Sequence, residues 1–241
     1  MFRDPANALL PNWKHLPVGY HGRASSIVVS GTEIIRPKGQ TKPADLDSPI
    51  FGPSKQLDFE LEMAFIVNKN TDMGESISTS EAEEVIFGMV IFNDWSARDI
   101  QSWEYVPLGP FLGKNFGSSI SPWVVTLEAL NPFRTESPKQ EPEVLDYLKF
   151  SGDKNFDINL EVYIQPENGT ENLISQSNYK FMYWNMTQQL AHHTINGCNV
   201  EVGDMYASGT ISGENPNSFG SMLELTWRGQ NPLKLNDGQE R

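Results

Sequence analysis

Leu57-Asp58-Phe59-Glu60-Leu61-Glu62-Met63-Ala64-Phe65-Ile66-Val67 sets carboxylates into an apolar run. The stretch reads as a strand, closed by a polar turn over 68–74. Strand alternation puts Glu60 and Glu62 on one side, with Cα atoms roughly 6.6 Å apart. At that spacing both side chains converge on one cation. Charged groups are rarely buried unless paired or bound to a metal. Asp94 lies in a second apolar stretch, Phe92-Asn93-Asp94-Trp95-Ser96-Ala97-Arg98-Asp99-Ile100-Gln101, and offers a third oxygen. Glu60, Glu62 and Asp94 together define a candidate hard-cation site, and so an enzyme.

Outward from these stretches, residues 89–92 predict a strand and 94–104 a helix that ends before Pro107. On that helix Asp94, Arg98, Gln101 and Tyr105 are spaced 4, 3 and 4 apart and form one polar stripe, opposite Trp95, Ile100 and Trp103. A cation, an amide and a phenol are groups that bind or polarise a carboxylate or carbonyl. The plainer alternative for Arg98 is an exposed pair with Asp94, worth only ~0.3–0.5 kcal/mol. Upstream, Ser80-Glu81-Ala82-Glu83 reads as a capping box for a short helix stopping at Gly88. Downstream, strands are expected over 122–130, 157–164, 204–208 and 221–227. A hairpin turn is expected at Asn168-Gly169, and a helix over 184–193. The first 50 residues are Pro- and Gly-rich, with a short strand over 27–30, and 131–153 is a charged surface excursion. The fold class is mostly β with a few short helices (α+β), without repeats.

The chain has 241 residues, 38% of them hydrophobic and 20% charged, as in a globular protein. Its 18 basic and 31 acidic side chains give a net charge of −13, which argues against nucleic acid as a partner. An anionic substrate would need a metal or a few placed cations. Cys198 is the only cysteine, so no intrachain disulfide forms, which fits a reducing compartment. No apolar run approaches the ~18 residues of a membrane span, and no signal peptide is expected at the start.

Three further stretches hold candidates. In Gly109-Pro110-Phe111-Leu112-Gly113-Lys114-Asn115-Phe116-Gly117-Ser118, two glycines flank Lys114 as in a loop whose backbone approaches a ligand, although the spacing is not that of a P-loop. An ordinary turn with a solvated lysine is an equal alternative. Ala207-Ser208-Gly209-Thr210-Ile211-Ser212-Gly213 offers hydroxyls and amides to a carboxylate. Glu224, between Leu223 and Leu225, is either an exposed strand residue or a buried acid. His192 and His193 are adjacent, about 100° apart on a helix, and read as structural.

Taken together, residues 57–65, 93–105, 109–118, 207–213 and 219–225 resemble the fumarylacetoacetase family. So do Asn12-Trp13 and Leu16-Pro17-Val18-Gly19-Tyr20-His21-Gly22-Arg23, and the likeness runs over essentially all of the chain. The resemblance implies a mixed β-roll or barrel-like catalytic domain, a cytoplasmic homodimer, and a diketo-acid substrate. The implied reaction is hydrolysis of the carbon–carbon bond of 4-fumarylacetoacetate to fumarate and acetoacetate, the last step of phenylalanine and tyrosine catabolism. By the same resemblance Glu60, Glu62 and Asp94 hold calcium, and Asp94, Lys114 and Ser118 hold magnesium. Arg3, Tyr20, Gln101, Tyr105 and Thr210 bind substrate. Arg98, Gln101 and Lys114 stabilise the oxyanion, and Glu224 orients the base. Ser118 stands where the family has threonine.

The family's base histidine, a further ligand aspartate and a substrate tyrosine fall upstream of the match to Met1, as does an N-terminal domain. The closing strands fall beyond Arg241. Residues 1–241 are therefore expected to be part of a catalytic domain, inactive or nearly so by themselves. The alternatives are an acylpyruvate hydrolase or decarboxylase of the same superfamily, and a non-catalytic fragment that binds metal or dimerises. The Arg98, Gln101, Tyr105 stripe with the Thr210 loop favours fumarylacetoacetase.

Overall fold

The computed structural model describes residues 9–236 and 238. Its centre is a six-stranded sheet built on two antiparallel strands, Leu61–Val67 and Ile86–Asp94. Met205–Ala207 flanks the first of these. Ser118–Ile120 and Val125–Thr126 both pair with the second. Ile27–Val29 adds the one parallel edge, on Ser118–Ile120. Four two-stranded ladders surround this sheet, and among the described residues it does not close into a barrel. The class is mostly strand with a few short helices, as the sequence predicts.

Alternation along Leu61–Val67 divides the molecule. Leu61, Met63, Phe65 and Val67 face one way, into a core with Met89, Phe156, Leu160, Val200 and Ile211, closed by Met186 and Leu190 of the helix Met186–Thr194. Each such fully buried side chain stabilises the fold by about 1.5–3 kcal/mol. Asn185 caps that helix through a complete capping box with Gln188. The other face carries a smaller apolar set, Ala64, Val90 and Phe92 with Ile27, Ile66 and Ile120. Glu62 and Asp94 stand on this second face at one end of the strands.

Several elements differ from the sequence reading, each for a tertiary reason. The 57–67 segment is two pieces, Leu57–Asp58 paired with Ser96–Ala97, then Leu61–Val67. Between them Glu60 bridges to Ser221. Asp94 ends a strand instead of starting a helix, because its N–H donates to the Glu60 carbonyl at 3.2 Å. The helix begins at Arg98 and runs to Glu104, with Tyr105 as its cap residue. Asp94 and Arg98 are therefore not on one helical stripe.

The capping contact before Ala82–Val85 lies two residues early. Ser78 donates its N–H and hydroxyl to Glu81 at 3.1 and 2.6 Å. Gly88 does not stop a helix but sits inside Ile86–Asp94, where a Cβ would lie 2.3 Å from the Val125 carbonyl oxygen. Residues 122–130 are a two-residue strand followed by the helix Leu127–Leu130, which Thr126 caps. Residues 221–227 hold the helix Met222–Leu225 where a strand was expected. Ser221 Oγ accepts from the Glu224 amide at 3.3 Å. Helix-capping hydrogen bonds here override the apolar alternation of Leu223 and Leu225.

Candidate functional site

Six charged side chains meet at the end of the two central strands. Glu60, Glu62 and Asp94 present carboxylate oxygens that all lie within 4.8 Å of one another. Lys114 donates to Glu60 Oε2 at 2.5 Å and to Asp94 Oδ2 at 2.9 Å. Arg98 donates from Nη1 to Glu60 Oε1 at 2.7 Å and from Nε to Asp58 Oδ2 at 2.8 Å. Ser118 Oγ reaches Asp94 Oδ1 at 3.4 Å, across the strand pair that sets Asp94 opposite Ser118. Gln101, one turn along the helix, accepts from Arg98 at 3.4 Å.

Local chemistry explains the placement. The Lys114 turn is clipped to the helix Arg98–Glu104 by Glu104 Oε1, which accepts from the Phe111 and Gly113 amides at 3.0 and 2.7 Å. Gly113 packs so closely on the Gln101 backbone that a Cβ would stand 2.8 Å from it. The 208–211 loop runs beside Leu61–Val67, and Gly209, at φ 81°, gives its amide to Glu62 Oε2 at 3.0 Å. Tyr20 keeps its ring partly exposed while its hydroxyl donates to Asp94 Oδ2 at 2.5 Å.

The cluster is electrically uneven. Burial raises the Glu60 carboxyl, but Lys114 and then Arg98 outweigh this and hold it below the ordinary range. Glu62 has no cation within salt-bridge distance among the described residues. Burial first, then Glu60 and Asp94, push its carboxyl well above the ordinary value. Burial opposes the charge on Arg98, and Glu60 with Asp58 more than restores it. Burial, followed by Asp94, keeps the Tyr20 hydroxyl protonated and so a donor. With all groups ionised, Asp58, Glu60, Glu62 and Asp94 exceed Arg98 and Lys114 by two negative charges. The donor set is all oxygen, and opposite ligands of a calcium ion stand about 5 Å apart. The residues fit a divalent hard cation held by Glu60, Glu62 and Asp94.

Of the residues singled out in the sequence, Glu60, Glu62, Asp94, Arg98, Gln101, Lys114, Ser118 and Tyr20 come together here. Tyr105 and Thr210 are half-buried nearby, and neither side chain hydrogen-bonds to the cluster. Glu224 is held apart by Ser212 Oγ, at 2.9 and 3.0 Å, and Ser221 Oγ, at 2.9 Å. Arg3 lies outside the described residues. No histidine among the described residues bonds to the cluster. His192 Nδ1 pairs with the Tyr147 hydroxyl at 2.9 Å, and His193 meets Tyr206 edge-on. Asp58 is the member that sequence reasoning missed, although 58, 60 and 62 share one strand parity and Asp58 lies between Leu57 and Phe59.

The family model described as fumarylacetoacetate (FAA) hydrolase C-terminal matches residues 4–240. The chain belongs to that family. It is 60% identical to fumarylacetoacetase of Homo sapiens over 242 residues, covering 100% of this chain and 58% of the human protein. It is 58% identical to fumarylacetoacetase of Arabidopsis thaliana, covering 98% of this chain and 56% of that protein. The chain thus spans a little over half the length of these relatives. Among solved structures, a yeast fumarylacetoacetate hydrolase family protein is 19% identical, with a TM-score of 0.49 over 82% of this chain and 70% of that one.

Proposed function

We propose that this chain carries the metal-binding part of a fumarylacetoacetase centre, for hydrolysis of 4-fumarylacetoacetate to fumarate and acetoacetate at the end of phenylalanine and tyrosine breakdown. The observation that supports it most is identity near 60% to fumarylacetoacetases along the whole chain, coinciding with a buried cluster of suitable donors. Arg98, Gln101 and Lys114 are the donors for the alkoxide that forms when water adds to the ketone. Tyr20, Tyr105, Thr210 and Arg3 are assigned to substrate. Glu224, fixed by two serine hydroxyls, is assigned to orient the histidine base that the resemblance implies. Calcium at Glu60, Glu62 and Asp94, with magnesium beside Asp94, Lys114 and Ser118, would supply Lewis-acid stabilisation of the enolate-like leaving group. The ammonium of Lys114 bridges Glu60 and Asp94, so it balances the site's charge instead of ligating through Nζ.

The same reading includes the β-roll as the full domain fold and a cytoplasmic homodimer. Val106, Leu108 and Phe111, exposed beside the site helix, suit a subunit interface, and the exposed free Cys198 suits a reducing compartment. Among the described residues no helix is long and apolar enough to cross a membrane.

Loss of fumarylacetoacetate absorbance, run beside a panel of acylpyruvates and with calcium titrated by calorimetry, tests the proposal on residues 1–241 and on the same residues joined to the base-bearing upstream segment of a fumarylacetoacetase. The expected result is calcium binding by both proteins, and turnover with preference for fumarylacetoacetate in the joined one. Faster cleavage of an acylpyruvate would overturn the substrate assignment. Calcium binding without turnover of any substrate by the joined protein would favour a non-catalytic role.

A further inference from the structure

Asp58 is 4% exposed, and four donors converge on its carboxylate. Arg98 Nε donates to Oδ2 at 2.8 Å, the Leu223 amide to Oδ2 at 3.1 Å, and the Met222 and Phe59 amides to Oδ1 at 2.8 Å each. A carboxylate offers about four acceptor positions, so Asp58 is saturated and has none left for a metal. That separates it from Glu60, Glu62 and Asp94, whose oxygens converge on one another.

Three of its four partners come from two elements remote in sequence. One is the helix of Arg98. The other is the segment that begins at Met222 and carries Glu224. With Nε held by Asp58 and Nη1 by Glu60 and Gln101, Arg98 keeps Nη2 bonded to no described residue, as a donor for a ligand. A buried ion pair contributes little net stability over an apolar pair of similar size. A charged and fully saturated group at this junction is accounted for better by orientation than by stability.

We propose that Asp58 is a positioning residue. It fixes the guanidinium of Arg98 and the Glu224 segment relative to each other, so that alkoxide stabilisation and base orientation act on one substrate carbonyl. This rests on the hydrolase reading above. Asparagine cannot replace it, because Nδ2 would meet, as a second donor, either Arg98 Nε–H and the Leu223 amide or the Met222 and Phe59 amides.

The test, made in the joined protein described above, is Asp58→Asn, alone and combined with Arg98→Lys, with melting temperature and calcium affinity measured in parallel. Asp58→Asn is expected to lower kcat about 30- to 100-fold and to change KM and the affinity for calcium chloride less than about threefold. In the Arg98→Lys background the same substitution should lower kcat at least about threefold less than in the wild-type background, because part of its effect is exerted through Arg98. An independent readout is the nitrogen-15 spectrum of the arginine side chains. The Arg98 Nε–H should exchange slowly with solvent in the wild-type protein and rapidly in Asp58→Asn. If Asp58→Asn does not fold, Asp58→Glu retains the charge at the wrong reach and should show the same kcat loss. Equal kcat losses in both backgrounds, or an unmoved Arg98 Nε–H signal, overturn the proposal. If the joined wild-type protein turns over no substrate, the hydrolase reading fails. The Nε–H signal alone then decides whether Asp58 holds Arg98, as it does if Arg98→Lys has no measurable rate.

Discussion

Between the helix Ala82–Val85 and the strand Arg134–Thr135, Arg134 and Lys154 close on Glu83 at 2.7 and 3.1 Å. At the end of the central strands, Arg98 and Lys114 close on Asp58, Glu60 and Asp94 at 2.5 to 2.9 Å. The side chains are of the same kinds, but the balance is opposite. At Glu83 two cations serve one carboxylate, partly in solvent, and Arg134 also lies 5.0 Å over the Phe156 ring. At the central strands two cations stand among four carboxylates, nearly all buried, and pair with three of them, leaving Glu62 with no cation in salt-bridge range among the described residues. The Glu83 cluster is complete in itself. The central one holds an excess of negative charge that folding alone does not explain, since isolated charges are costly away from water. That excess is the contrast on which the cation site proposed above rests.

Lys114→Met should break this contrast most severely. It leaves Asp94 with no cation in salt-bridge range among the described residues and Glu60 with Arg98 alone. Removing one partner of a buried ion pair costs about 3–5 kcal/mol, which should appear as a lower urea midpoint at pH 7 in chelator. Calcium at about 100 times its dissociation constant should return up to about 2.7 kcal/mol, as for any ligand that binds only the native state. A loss below about 1 kcal/mol in chelator would mean that the cluster is less buried or less charged than described.

Glu62→Gln separates the cation reading from a purely structural one. Burial and two neighbouring carboxylates disfavour the Glu62 charge, so the neutral amide should cost the metal-free protein less than about 1 kcal/mol and can stabilise it. The same substitution removes an oxygen ligand and should weaken calcium binding at least about tenfold by calorimetry. A loss of stability as large as that of Lys114→Met, with calcium affinity unchanged, would make Glu62 a structural acid.

The alternation of Glu60 and Glu62 was legible because strand parity is a local property, and the structure brings both together with Asp94. The helical stripe through Asp94 was not, because the Asp94 amide is taken by the carbonyl of Glu60, 34 positions away. No local period contains that contact. With Asp94 on a strand, Arg98 turns to Asp58 and Glu60, 40 and 38 positions away, contacts that no spacing along the helix contains. The short helix at Glu224 is a different case. Ser221-Met222-Leu223-Glu224 carries the Ser-x-x-Glu cap pattern in the sequence itself, but the flanking leucines also satisfy a strand pattern. What decides is the Met222 and Leu223 amides bonding to Asp58, another distant contact.

Glu83→Gln is the smallest change and sharpens the comparison from the other side. Burial raises the Glu83 carboxyl, while Arg134 and then Lys154 outweigh it, so the folded value lies below the ordinary one. The folded state therefore holds the proton more weakly than the unfolded chain. Its contribution to stability is complete above the ordinary carboxylate range and disappears as pH falls through the lowered folded value. Because both partners are partly exposed, the contribution at pH 7 should be only about 0.5–1 kcal/mol, and less in about 0.5 M salt. Urea unfolding of the wild-type and substituted proteins should show curves that differ at pH 7 and converge as pH falls below the ordinary carboxylate range. The substitution should leave calcium affinity untouched, since Glu83 shares no hydrogen bond with the central cluster. A change in calcium affinity would show that the two clusters are coupled through the strand Ile86–Asp94, which follows Ala82–Val85 directly.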